Sequence, residues 1–158
     1  MKKLLLLRHA KSSWAYSVED YDRPLSEKGI NDINKVSLKN IGFFKKFQMV
    51  LTSPANRAFH TSTIFTRNVF IKFENLRVVD ELYTFDYKDV VDYVYKLDNA
   101  LSSVALIGHN PAFSQVAEYL SDKHPPGLKT SDWIMLEFEQ KEWSKINNGT
   151  YTYESKKN

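Results

Sequence analysis

The chain alternates short apolar runs with stretches of helical period. Leu4-Leu5-Leu6-Leu7 is a continuous apolar run that ends sharply at Arg8-His9. A run of this length reads as a strand buried on both faces. Met49-Val50-Leu51 and Val104-Ala105-Leu106-Ile107 repeat the pattern. Val78-Val79 is a weaker candidate, preferred over Phe70-Ile71-Lys72-Phe73 as the remaining strand. Between these runs, Ile30, Ile33, Val36 or Ser37, and Ile41 give one helix an apolar stripe, with Ser26 as N-cap, Glu27 suited to the dipole and Gly42 as stop. Ala55, Ala58, Phe59, Ser62 and Phe65 share a face of a second helix, with Ser53 as cap and Pro54 at the first helical position. A third helix is expected from about Tyr87 to Leu97. A fourth carries Phe113, Val116, Ala117 and Leu120 at offsets of three, four and seven, opened by Asn110-Pro111. The tail differs. Trp133 to Phe138 and Thr150 to Tyr153 read as antiparallel strands joined by a turn near Asn147-Asn148-Gly149. Ser12 to Asp22 reads as a loop and Ser155 to Asn158 as a frayed end.

Strands alternating with helices predict an α/β fold. The expected architecture is one domain over residues 1–158, a three-layer α/β/α arrangement with a mostly parallel central sheet and an antiparallel C-terminal edge. Composition narrows the function. The 158 residues suffice for a sizeable core, and 42% apolar with 26% charged content is that of a soluble globular protein. A net charge of +3 is too small to argue for nucleic acid. With no cysteine, disulfides, thiolate metal sites and cysteine nucleophiles are excluded. Met1-Lys2-Lys3 followed by four leucines imitates the start of an export signal, but Arg8, His9 and Lys11 cut the apolar run too short. A cytoplasmic protein with no membrane association is the expectation.

The chemistry gathers behind the strands. Arg8 and His9, then Arg57, then His109 each follow a strand in a strand-loop-helix unit. Right-handed crossovers make such strands parallel, so all three loops open on the same sheet edge, where ligands bind in this class of fold. Free N–H groups at helix starts favour an anion there. Two arginines can grip a tetrahedral oxyanion. Of the two histidines, one could attack phosphorus while the other stabilises charge on the phosphoryl oxygens. Each residue alone has a plainer reading, as a surface arginine or a loop histidine. His9, His109 and a carboxylate could hold a metal, yet no paired ligand motif occurs. His60 is at least as readily structural, His124 in its Pro-Pro-Gly loop carries no signal, and Trp14 is the aromatic residue placed to line the site.

These motifs resemble those of the histidine phosphatase superfamily. Leu7-Arg8-His9-Ala10, Ser53-Pro54-x-x-Arg57-Ala58-x-x-Thr61 and Gly108-His109-Asn110-Pro111 carry the likeness. Within the superfamily, which is phosphoglycerate mutase-like, the chain is most similar to the SixA-like phosphohistidine phosphatases. Arg8 to Trp14, Asp22-Arg23-Pro24-Leu25-x-x-x-Gly29 and Glu81-Leu82-Tyr83 carry that likeness. The resemblance implies a metal-independent phosphohydrolase with no cofactor, in which His9 is the nucleophile and becomes a phosphohistidine. It implies that Arg8, Arg57 and His109 hold the phosphoryl group, with Arg23 close by. Glu81 falls near an acidic proton donor of related phosphatases, and Asp22 is the second candidate for that acid. Ala10 stands where Gly is frequent, and His60 where Gln is frequent. The implied substrate is a phosphohistidine-bearing protein, since so short a chain leaves little room for an insertion over the site. A small phosphate ester and a non-catalytic phosphate-binding module are the alternatives.

Overall fold

The computed structural model describes residues 1–156; the end expected to fray, Ser155 to Asn158, falls partly outside them. Six strands form one sheet: β1 (Lys2–Arg8), β2 (Met49–Thr52), β3 (Leu76–Val78), β4 (Ser103–Gly108), β5 (Trp133–Phe138) and β6 (Thr150–Glu154), in the order β3-β2-β4-β1-β5-β6. β3, β2, β4 and β1 run parallel, whereas β5 is antiparallel to β1 and β6 to β5. This is the α/β architecture expected from the sequence, with its antiparallel C-terminal edge.

The four leucines of β1 explain the two-sided core. Side chains alternate across a strand, so Leu4 and Leu6 face one layer and Leu5 and Leu7 the other. All four are fully buried, each contributing about 2 kcal/mol. The first layer packs α4 (Tyr87–Tyr95) and α5 (Ala112–Leu120) through Val90, Val91, Val94, Phe113, Val116 and Leu120. The second packs α1 (Glu27–Lys39), α2 (Ile41–Phe44) and α3 (Asn56–Asn68) through Ile33, Val36, Phe44, Ile64 and Phe65.

Helix starts differ in detail. Ser26 is the N-cap of α1, its hydroxyl accepting from Gly29 N. The same hydroxyl donates to the Lys11 carbonyl, which ties the loop after β1 to this helix. A Cβ at Gly29 would collide with that carbonyl, so the close approach requires glycine. Gly42 does not stop the helix; it lies inside α2, and no glycine here has positive φ. Ser53 and Pro54 do not open α3, which starts at Asn56 behind Ala55. The Ser53 hydroxyl instead accepts from Ala55 N and meets His109. Asn110 does serve its helix, its side-chain oxygen accepting from Ser114 N, although α5 begins only at Ala112. Phe70 to Phe73 is not a strand: Phe70 has a φ of 59° and Phe73 opens a 3₁₀ turn.

Candidate active site

β2, β4 and β1 are neighbours in the sheet, so the three loops seen in the sequence leave the same edge side by side. That adjacency brings Arg8, His9, Arg57 and His109 into one pit. His9 follows β1, and its backbone N–H donates to the Gly108 carbonyl at 3.0 Å. The next residue is anchored to α3, with Ala10 N donating to Thr61 Oγ1 at 3.0 Å and Thr61 Oγ1 donating to the Arg57 carbonyl at 2.7 Å. The His9 and His109 rings stand 5.2 Å apart.

His9 Nδ1 lies 2.7 Å from the Ala10 carbonyl. A carbonyl oxygen only accepts, so Nδ1 carries the proton and Nε2 keeps its lone pair. Burial pushes His9 down to about 3, against the hydrogen bond to Ala10 and with help from the Arg57 charge, so the ring is neutral at neutral pH. His109 is also pushed down to about 3, by burial first and then by His9 and Arg57. Its Nε2 is 2.7 Å from Ser53 Oγ.

The arginines are held from outside the pit. Arg8 Nη1 donates to the Leu128 carbonyl at 3.0 Å. Arg57, only 2% exposed, donates from Nη1 to the Asp20 carbonyl at 2.6 Å and from Nη2 to Asp20 Oδ2 at 3.0 Å. Arg23 donates from Nη2 to Asp20 Oδ1 at 2.9 Å and from Nη1 to the Ser12 hydroxyl, and its guanidinium lies 3.8 Å from the centre of the Trp14 ring. Arg8 Nε, Arg23 Nε, Arg57 Nε and His109 Nδ1 are buried without a hydrogen-bond partner. Buried polar atoms are normally paired, and the three Nε–H groups, whose guanidinium charges all act on His9, are left to meet an acceptor there.

Asp20 is the carboxylate that sequence reasoning missed. Burial by itself would raise it, but hydrogen bonds from Tyr83, Arg23 and Arg57, with the Arg57 charge, hold it well below the usual carboxylate range. Tyr83 donates to Asp20 Oδ2 at 2.7 Å and packs edge-on against His109. Glu81, the expected proton donor, is exposed and lines a neighbouring groove of about 350 Å³ with Asp89, Asp92, Tyr93 and Lys96. Asp22 is exposed as well, and its carbonyl accepts from Asn56. His60 is half-buried on α3, and the exposed His124 pairs with Glu118. Trp14 is 80% exposed at the mouth. Among the described residues, no group of three or more His, Asp or Glu side chains is placed to hold a metal ion. No described helix is long and apolar enough to cross a membrane.

The profile of the histidine phosphatase superfamily (branch 1) matches residues 4–96. The chain belongs to that superfamily and is a phosphatase. An uncharacterised chloroplastic protein of Arabidopsis thaliana is 30% identical over 153 residues, covering 90% of this chain and 69% of the relative. The protein histidine phosphatase SixA, solved in complex with tungstate, is 25% identical with a TM-score of 0.81, covering 98% of this chain and 97% of that one. A mycobacterial glucosyl-3-phosphoglycerate phosphatase complexed with VO3 shares the fold at a TM-score of 0.71 and 14% identity, covering 98% of each chain.

Proposed function

We propose that this phosphatase removes phosphoryl groups from histidine side chains of a partner protein, through a phosphohistidine formed on His9. The observation that carries this reading is the convergence of unpaired buried donors around a neutral imidazole whose Nε2 lone pair is free. In the first step His9 Nε2 attacks phosphorus, and the bond from phosphorus to the leaving nitrogen breaks with its electron pair going to that nitrogen. Arg8 Nε and Arg57 Nε donate to the phosphoryl oxygens. Ser53 Oγ holds His109 Nε2, and in the tautomer in which Ser53 donates, the ring proton is on Nδ1 and donates as well. In the second step water attacks phosphorus, the bond to His9 breaks, and inorganic phosphate leaves with His9 neutral again. No metal enters either step.

The choice of substrate rests on the leaving group. Asp20 stays ionised and has no proton to give, while Glu81 and Asp22 are both exposed, Glu81 in the neighbouring groove. An alkoxide leaving from a monoester needs such a donor. A phosphohistidine protonated on its far nitrogen leaves as neutral imidazole and needs none. The mouth supports a protein partner, since Trp14, Tyr21 and Phe85 are exposed around it and Phe85 packs 5.6 Å from His109. Similarity to a protein histidine phosphatase points the same way. The test is steady-state turnover of a phosphohistidine-bearing protein against a panel of small phosphate esters. We expect kcat/KM for the phosphoprotein to exceed every ester by at least about 100-fold. A preferred ester would overturn the choice of substrate, and phosphate binding without any turnover would favour a binding module.

A further inference from the structure

Asp20 does more than complete an ion pair. Its Oδ2 accepts from both Arg57 Nη2 and Tyr83 Oη, its Oδ1 from Arg23 Nη2, and its own carbonyl from Arg57 Nη1. Arg57 is thus taken on one edge through both terminal nitrogens, leaving Nε on the other edge without a partner. Asp20 is also the acid that forms the ion pairs of both Arg57 and Arg23. Its side chain remains 46% exposed at the rim, while Arg57 is buried.

We propose that Asp20 is a positioning residue that also governs product release. Its carboxylate fixes the Arg57 guanidinium, whose charge acts on His9, and its negative charge limits how tightly the pit holds inorganic phosphate. The inference rests on the reading that the pit receives a phosphoryl group. A pit with three arginines and no counter-charge would bind dianionic phosphate strongly and release it slowly. Binding substrate group and product alike does not raise turnover. A fixed carboxylate on the far side of two of those arginines lowers the field that the departing phosphate feels. The neutral histidines add no charge and the buried Asp132 acts on Arg8, so Asp20 is the carboxylate that sets this balance at Arg57 and Arg23.

The sign of one substitution separates control of release from plain scaffolding. Asp20→Asn keeps the size and one acceptor oxygen but removes the charge. If Asp20 only scaffolds the arginines, phosphate affinity should fall. If it limits phosphate retention, affinity should rise. The experiment is calorimetric titration of inorganic phosphate into the whole protein at pH 7.5 and 0.15 M salt, for wild type, Asp20→Asn and Asp20→Glu. We expect Asp20→Asn to bind phosphate about tenfold tighter. In turnover it should show a lower kcat and a burst of product, as release becomes limiting. Asp20→Glu restores the charge and should return affinity to within about threefold of wild type, which also guards against a folding defect in the amide variant. Equal or weaker phosphate binding by Asp20→Asn, or equal tightening by Asp20→Glu, overturns the proposal. Absence of phosphate binding by the wild type overturns the underlying reading of the pit, and this inference with it.

Discussion

The two ends of the central strands each bury a cation, and they treat it differently. At the amino end of β1, Lys2 is 2% exposed, and its ammonium donates to the carbonyls of Asn99 and Leu101 at 2.7 Å each, over the Trp143 ring. Its surroundings are equally closed. Trp143 Nε1 donates to Leu101, and Gln48 Oε1 accepts from Ser102 N and Ser103 N. At the carboxyl end Arg57 is just as buried, but its Nε has no partner, and neither do Arg8 Nε, Arg23 Nε and His109 Nδ1. Lys2 and the groups around it are paired and hold the fold together, although Gln140 Oε1, further along this end, is buried without a partner. The carboxyl end leaves buried donors unpaired, a cost to stability that a bound phosphoryl group would offset.

The largest expected effect comes from exchanging the two cations' fates. Arg57→Ala should lower kcat/KM by about 10³-fold, or about 4 kcal/mol of transition-state stabilisation, with the melting temperature nearly unchanged. Lys2→Met should do the reverse. It leaves the Asn99 carbonyl without this donor and should cost about 1–3 kcal/mol in urea unfolding, with kcat/KM unchanged. Equal damage to stability from both variants would dissolve the contrast.

Next in size is a pH effect confined to the carboxyl end. His9 and His109 are each held down to about 3 in the folded protein, whereas an unfolded histidine titrates near 6.5. As pH falls through 6.5 the unfolded chain binds protons that the folded chain refuses, so stability falls. Each histidine should lose about 1 kcal/mol between pH 6.5 and 5.5, together about 2 kcal/mol, measured by urea unfolding in phosphate-free buffer. His9→Gln should remove half of that slope. A flat stability profile over this range would contradict the neutral assignment of both rings.

The smallest effect belongs at the rim. Trp14→Ala exposes the Arg23 guanidinium that it covers and removes aromatic area from the mouth. It should lower kcat/KM for a phosphohistidine protein about tenfold while leaving a small phosphoramidate within twofold, the loss expected of one aromatic contact. Equal losses on both substrates would place Trp14 in the pit rather than on a docking rim.

Much of this was legible in the sequence because it rests on local patterns. The leucines of β1 alternate between two layers, so their unbroken run marks a central strand. Arg8, His9, Arg57 and His109 each follow such a strand, and parallel pairing then puts them together without further information. What was not legible depends on which polar groups meet across the fold. Glu19, Asp20 and Asp22 look alike in the loop, and only its 3₁₀ turn from Asp20 to Asp22 and the approach of Arg57 and Tyr83 single out Asp20. Ser53 has the form of a helix cap, yet its hydroxyl reaches His109 at the end of the neighbouring strand. Glu81 sits at a strand end as expected, but the 3₁₀ turn from Asp80 to Leu82 buries Leu82 and leaves Glu81 exposed in the adjacent groove.

The proposed chemistry turns on His9 Nε2 taking the phosphoryl group. Rapid-quench labelling with a ³²P-phosphohistidine protein tests this step, with wild type run beside His9→Ala. An acid-labile, base-stable label should appear on the wild-type chain within the first turnover and map to His9, with neither label nor turnover in the folded variant. Turnover retained by His9→Ala would contradict that role.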